Sequence, residues 1–230
     1  MKIGIICAME EEIRLLVAKM TNKQEKQIAG KPYYTGQLCQ HDVVLTESGI
    51  GKVQAAIATT ILLAVEKVDM IVNTGSAGGI GPDLHIGDVV IADGVAYHDV
   101  DVTAFDHLPG QLPDQPQIFE TDPQLVKQIK QAAQAVGLHP HVGLIVSGDQ
   151  FIASRAKIKD ILQVYPDALA AEMESTAIGQ VATQFKKPFV IIRAMSDVGD
   201  DEANVNFDEF VVTAGRKSAQ MLLTFLHALN

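Results

Sequence analysis

Basic residues are scarce in this sequence: 18 lysines and arginines stand against 28 acidic residues, a formal net charge of -10. No positive field is available to hold a phosphodiester backbone or an anionic lipid surface, so neither nucleic acid nor membrane is an expected partner. Cysteine is also sparse. Cys7 and Cys39 show no Cys-x-x-Cys spacing, which removes the usual zinc and redox motifs and leaves both as small core or near-core residues. No hydrophobic run is long enough to cross a bilayer. The longest, residues 53–65, carries Gln54, Thr59 and Thr60 and reads as a buried helix. The apolar stretch at the start is too short for a signal-peptide core and runs into Glu10, Glu11 and Glu12, which oppose export, so a cytoplasmic location is expected. No linker composition, internal repeat or low-complexity tract divides the 230 residues, and one domain over 1–230 is expected.

What is present is a series of buried-strand runs that end on polar residues or glycines. Residues 2–7 lead into the three glutamates, 69–73 into Thr74-Gly75-Ser76-Ala77-Gly78-Gly79, and 142–146 into Ser147-Gly148-Asp149. Residues 188–200 are the most informative, because an apolar run there delivers Arg193, Ser196 and Asp197. In open α/β sheets ligands sit where strands end and side chains leave the packed layer. Asp197 has two readings at this point: a group aimed into a cleft, or a cap or partner for Arg193.

Helical spacing fills the gaps between strands. Ile13, Leu16, Val17 and Met20 predict an amphipathic helix over about 9–20, with the glutamates in its first turn, where the helix dipole favours carboxylates. Val53, Ala56, Ile57, Ile61, Ala64 and Val65 predict a second, opened by Gly49-Ile50-Gly51 after a strand at 43–46. Asp122 before Pro123 is an N-cap with proline at the first helical position, followed by Leu125, Val126, Ile129, Ala133 and Val136. Residues 173–185 predict a helix with Ala177, Ile178, Val181 and Phe185 toward the core, and Asn206 with Glu209 predicts the capping pair of a last helix running through Leu226. Strands alternating with helices predict an α/β sheet covered on both faces. Residues 97–121 break the pattern, with Pro109, Pro113 and Pro116 among Phe105, Leu108, Leu112, Ile118 and Phe119. A long loop this apolar is a candidate subunit contact or pocket wall.

The glycine turn at 49–51 lacks the third glycine of the dinucleotide fingerprint, and no Gly-x-x-x-x-Gly-Lys-Ser/Thr occurs, so NAD and ATP readings are weak. His98, His107, His139 and His141 lie in or beside loops with no ligand at a diagnostic spacing, and neither a metal nor a cofactor is expected. The polar groups near strand ends form an acid-rich set, Glu12, Glu172, Glu174 and Asp197 with Ser76, Ser196 and Arg193, that holds no nucleophile and base pair. Paired carboxylates of this kind suit hydrolysis of a glycosidic bond through an oxocarbenium-like transition state. The ordinary alternatives are a solvated charge for Glu172, core packing for Phe151 and Met173, and helix-start packing for Met9.

Seven segments in order, Gly-Ile-Ile-Cys-Ala-Met-Glu-Glu-Glu (4–12), Ser-Gly-Ile-Gly-Lys-Val (48–53), Asn-Thr-Gly-Ser-Ala-Gly-Gly (73–79), Tyr-His-Asp-Val-Asp-Val-Thr-Ala-Phe (97–105), Gly-Leu-Ile-Val-Ser-Gly-Asp-Gln-Phe-Ile (143–152), Ala-Glu-Met-Glu-Ser-Thr-Ala (171–177) and Arg-Ala-Met-Ser-Asp (193–197), span almost the whole chain. Together they resemble the 5'-methylthioadenosine/S-adenosylhomocysteine nucleosidase family of the nucleoside phosphorylase superfamily. The resemblance implies a single α/β domain with a central mixed, twisted, partly barrel-like sheet flanked by helices. It also implies a homodimer, a place in methionine salvage, and hydrolysis of methylthioadenosine, adenosylhomocysteine and 5'-deoxyadenosine to adenine and the matching sugar.

Carried over by position, the resemblance implies that Asp197 protonates or hydrogen-bonds N-7 of the departing purine and that Glu12 takes a proton from the attacking water, with Ser76 and Arg193 near that water and its glutamate partners. Ser196 and Glu172 are counted among the binding residues without a sharper role. Glu174 and the Met173 backbone are implied to hold the ribose hydroxyls, Phe151 to stack on adenine, and the Ile152 backbone to read the purine edge. Met9, Ile50 and Phe207 would complete the apolar walls, and Val102, Phe105 and Pro113 would arrive from the neighbouring subunit. Cys7, where glycine is usual, and Ala153, where a polar residue often follows the isoleucine, depart from the pattern. The rivals are a phosphorylase and a catalytically silent nucleoside-binding protein. Phosphorylases of the superfamily place an arginine where this chain has Asn73, and a carboxylate base at Glu12 repels phosphate, so hydrolysis is favoured.

Overall fold

The computed structural model describes the backbone of residues 1–7, 10–197 and 203–229, and the side chains of all of these except 10–12, 197 and 203–214. In the first strand, β1 (Lys2–Cys7), Ile3, Ile5 and Cys7 pack to one side and Ile6 to the other, because successive strand side chains alternate between faces. The strand runs parallel to β4 (His41–Glu47) on one edge and to β5 (Met70–Gly79) on the other. Beyond β4 the sheet finishes in an antiparallel hairpin of β2 (Thr21–Ile28) and β3 (Lys31–Leu38).

At 10 residues, β5 is long enough to change partners part-way along one edge. Residues 70–74 pair with β1, whereas Gly78 and Gly79 pair antiparallel with β9 (Ala168–Glu172). Its other edge runs parallel to β10 (Phe189–Asp197). β10 lies beside β6 (Val89–Tyr97), β6 beside β8 (Pro140–Ser147) and β8 beside β9, so β5, β10, β6, β8 and β9 close into a ring. The short β7 (Ile118–Glu120) adds to β6 outside that ring. This is the mixed, partly barrel-like sheet that the resemblance implied.

Helices cover both faces. Ile13 and Leu16 of α1 (Glu10–Lys19), Leu125 and Ile129 of α3 (Pro123–Ala135), and Leu222 and Phe225 of α6 (Ala203–Ala228) pack onto Ile5, Val72, Ile91 and Ile192. On the opposite face Leu62 and Leu63, in a π-helical turn at Ile61–Val65 that continues α2 (Lys52–Thr60), join Ala177 and Ile178 of α5 (Ser175–Gln184) against Ile6, Ile71, Ile145 and Ile191. Ile161 of α4 (Arg155–Val164) joins Tyr165, Val146 and Ala168 in a third cluster. A fully buried member such as Ile192 contributes about 2–5 kcal/mol relative to alanine, counting the cavity its loss would leave.

The α3 start matches its sequence signal: the Asp122 side chain accepts from the N–H groups of Gln124 and Leu125 at 2.8 and 3.1 Å. Other expectations are corrected. The helix at 53–65 is only half buried, because its small residues Ala55 and Ala58 face inward while Val53 is 69% exposed. Phe185 caps the end of α5 and is exposed, so it is not a core residue. The last helix is already formed at Ala203, so Asn206 lies inside it rather than at its cap; no proline or glycine at 203–206 stops it.

Candidate active site

The Ala-Glu-Met-Glu-Ser-Thr segment makes a strand, a two-residue turn and a helix. β9 ends on Glu172, Met173 and Glu174 form the turn, and α5 begins at Ser175. A helix start leaves backbone N–H groups without intrahelical partners. Glu174 stands at the N-cap position but makes no capping bond; Glu172 does so instead, accepting from the N–H groups of Glu174 at 3.0 Å and Ser175 at 3.0 Å. The same carboxylate takes the Ser175 hydroxyl at 2.8 Å, the Ser147 hydroxyl at 2.5 Å and Arg193 Nη2 at 2.6 Å. Ser147 Oγ in turn accepts from the Thr176 N–H at 2.9 Å, tying β8 to α5.

Arg193 lies at the level of Gly75 on β5 and is fully buried. Its charge is met by Glu172, with Glu174 Oε2 3.8 Å from Nη2. Burial works to raise the Glu172 pKa, but the Arg193 charge and the bonds from Ser147, Arg193 and Ser175 outweigh it and hold the carboxyl below its ordinary value. Glu172 is therefore an enclosed ionised carboxylate, not a solvated charge.

Glu174 reaches the other way, its Oε1 accepting from the Gly51 N–H at 2.9 Å. Gly51 has φ +96°, and a Cβ there would stand 3.2 Å from Asp149 Oδ1, so the turn that aims this N–H requires glycine. Ser76, half-buried on β5, lies opposite Ala194 of β10. The pairing slips between Met195 and Asp197, a bulge at Ser196, whose hydroxyl donates to the Ala77 carbonyl at 3.3 Å. Bulges re-aim the residues that follow them, and here the backbone of Asp197 follows.

The structure thus gathers Ser76, Glu172, Glu174, Arg193, Ser196 and the Asp197 backbone around the second half of β5, with Met173 half-buried in the adjoining turn. Ile152 is buried, whereas Ile50 and Phe151, which is 45% exposed, stand at the surface. Val102 is half-buried and Pro113 exposed, and Phe105 is 77% exposed on the loop between β6 and β7. Glu12 lies in the first turn of α1 and Phe207 in α6, but their side chains, that of Asp197, and Met9 entirely, fall outside the described residues. Asn73 is fully buried and its amide donates to the Ile6 carbonyl at 2.8 Å, so this position ties β5 to β1.

Residues not singled out from sequence flank this group. Lys52 Nζ lies 2.9 and 2.7 Å from the two Asp99 carboxylate oxygens, and the Lys52 N–H donates to Asp149 Oδ1 at 2.9 Å. Each stands inside a segment quoted for the resemblance, and Asp149 also ends the strand-like run at 142–146.

A closed mixed sheet with two carboxylates and one neutralised arginine at its partner-switching strand defines the nucleoside phosphorylase-like class. The family model described as Phosphorylase superfamily matches residues 2–227. Over all 230 residues, and 100% of each sequence, the chain is 48% identical to a 5'-methylthioadenosine/S-adenosylhomocysteine nucleosidase of Tolumonas auensis. The solved S. pneumoniae nucleosidase of that name, bound to the transition-state inhibitor MT-ImmA, shares 50% identity over 100% of both chains with a TM-score of 0.96. An S-adenosylhomocysteine nucleosidase of Streptococcus pyogenes, in complex with 5-methylthiotubericidin, shares 47% over 100% of this chain and 98% of that one, with a TM-score of 0.97. The chain belongs to the 5'-methylthioadenosine/S-adenosylhomocysteine nucleosidase family of N-glycosyl hydrolases.

Proposed function

We propose that this protein, as one catalytic domain over 1–230, hydrolyses the N-glycosidic bond of methylthioadenosine and adenosylhomocysteine, and of 5'-deoxyadenosine, releasing adenine and the corresponding sugar. The observation that carries hydrolysis over phosphorolysis is the Arg193–Glu172 pair at 2.6 Å. A phosphate nucleophile needs unneutralised cations. The buried guanidinium is already matched, Glu174 adds a second carboxylate, and position 73 holds an amide engaged with Ile6.

In this reading the C1'–N9 bond breaks toward an oxocarbenium ion while Asp197 passes a proton to N-7, so adenine leaves neutral. Water adds to C1' and gives its proton to Glu12. Ser76 and Arg193 border that water. Glu174 and the Met173 backbone hold the ribose hydroxyls, and the Glu174 charge favours the cationic sugar. Phe151 stacks on adenine, the Ile152 backbone meets the purine edge, and Met9, Ile50 and Phe207 supply apolar wall. Ser196 supports the strand end that carries Asp197.

The protein acts as a cytoplasmic homodimer in methionine salvage, with Val102, Phe105 and Pro113 closing the alkylthio end of the neighbouring subunit's pocket. Exposed Val53, Ile57, Phe105 and Leu108 support that assembly, because a soluble surface seldom leaves so many large apolar groups uncovered. No helix among the described residues is long and apolar enough to cross a membrane. The test is to incubate the protein with methylthioadenosine with and without phosphate and identify the sugar. Methylthioribose at a phosphate-independent rate is expected; methylthioribose-1-phosphate as main product would overturn the reading.

A further inference from the structure

Three loops that carry proposed pocket residues meet at one ammonium group. Besides the Asp99 carboxylate, Lys52 Nζ lies 3.6 Å from Asp149 Oδ2 and 5.3 Å from the centre of the Tyr97 ring. The Asp149 N–H donates to Asp99 Oδ2 at 2.8 Å, which closes a cycle of Lys52, Asp149 and Asp99. The side chains of Lys52 and Asp99 are 22% and 12% exposed, so water competes for the bond between them less than at an open surface, whereas the Asp149 side chain is 51% exposed.

Each member belongs to a different segment. Lys52 opens α2 directly after Ile50 and Gly51, the turn whose N–H holds Glu174. Asp99 precedes the loop that carries Val102 and Phe105, and Asp149 precedes Phe151 and Ile152. Segments without a helix or sheet ladder take their position from cross-links of this kind. An isolated surface ion pair contributes about 0–1 kcal/mol, which would make this cluster incidental if stability were its only effect. Its geometry serves placement instead: one cation contacts two carboxylates and a ring, and backbone N–H groups complete the cycle.

We propose that Lys52, Asp99 and Asp149 form a positioning cluster that holds the glycine turn, the purine-side loop and the intersubunit loop in the register needed to bind the nucleoside. None of the three is assigned contact with substrate. The inference rests on the functional reading above. Walls that touch the nucleoside alike in the ground and transition states act on KM more than on kcat.

The experiment measures kcat and KM for methylthioadenosine, together with Tm, in the wild type and in Lys52→Met, Lys52→Arg and Asp99→Asn. Lys52→Met and Asp99→Asn are expected to raise KM by about tenfold or more while kcat stays within about threefold. Lys52→Arg, whose fork can still bridge the carboxylates, should return KM to within about threefold of wild type. If Lys52→Met does not fold, the near-isosteric Asp99→Asn decides. A lowered Tm with KM unchanged would mean the cluster is only structural and would overturn the proposal. Wild type that releases no adenine would overturn the functional reading and this inference with it, whereas active wild type with unaffected variants would remove the inference alone.

Discussion

Replacing Glu172 by glutamine keeps the side-chain shape and removes one charge from the most enclosed ion pair among the described residues, whose side chains are 0% and 4% exposed. The carboxylate is surrounded by donors, and Ser147 Oγ is the neighbour able to turn and accept from a carboxamide NH2. The amide oxygen then faces Arg193 and the α5 N–H groups, so the bonding pattern survives while the charge complement does not. Breaking a buried pair by neutralising one partner costs about 3–5 kcal/mol. Glu174 Oε2, 3.8 Å from Arg193, can take up part of the loss, which favours the lower end. For a chain of this size ~3 kcal/mol corresponds to a Tm drop of roughly 6–12 °C. Drawn toward Arg193, Glu174 would leave the Gly51 N–H, and KM should rise as the hold on the ribose proposed for it weakens.

The pH dependence gives a sharper readout. The folded pKa of Glu172 is depressed, so its contribution is fully present above the unfolded value, about 4.3, and disappears as pH falls through the folded value. The glutamine variant lacks that contribution at every pH. The Tm gap between wild type and variant, followed by calorimetry, should therefore be widest near neutrality and narrow on acidification below about pH 4. A gap that stays constant across this range, or a Tm loss under about 2 °C with KM unchanged, would refute the reasoning.

Asp197→Asn and Glu12→Gln should each lower kcat for methylthioadenosine by roughly two to four orders of magnitude with far smaller changes in binding, measured by steady-state adenine release and calorimetric titration. A nitrophenyl riboside, whose leaving group needs no proton, should be spared by Asp197→Asn; equal damage to both substrates would demote Asp197 to positioning. Phe105→Ala, at a site 77% exposed, should raise KM and weaken the proposed dimer in sedimentation, and unchanged values in both would remove that loop from the proposed pocket.

The parts of the fold legible in sequence are those in which local pattern and tertiary environment agree. β1 and the first parts of β5 and β10, Met70–Val72 and Phe189–Ile192, are buried and read as apolar runs, and Asp122-Pro123 announces α3 through its own capping bonds. β2 carried no such signal. Its Thr-Asn-Lys-Gln-Glu-Lys-Gln-Ile sequence is exposed along nearly its whole length, and it is a strand because it pairs with β3. Ala-Leu-Ala-Ala-Glu in β9 has the composition of a helix, and its neighbours override that preference. In the candidate site, Glu174 and Arg193 could be picked out at element ends, but the enclosure of Glu172 depends on Arg193, twenty-one residues away, crossing to it. Of Lys52, Asp99 and Asp149, only the last was legible in sequence, as a carboxylate after a strand-like run; folding brings the three together.

The ring closes with its last strand. β10 inserts between β5 and β6, so Phe189 meets Ile71 and Ile192 meets Ile91 across long stretches of intervening sequence. A nascent chain synthesised only as far as β9 has an open seam, with edges of β5 and β6 offering unpaired N–H and carbonyl groups to any passing strand. Closure across such sequence distances is slow relative to local helix formation, and exposed seams of this kind invite misassembly. Synthesis must therefore pass through a vulnerable interval that ends only when residues 189–197 dock. The same docking event brings Arg193 to Glu172, so the polar centre assembles when the barrel shuts.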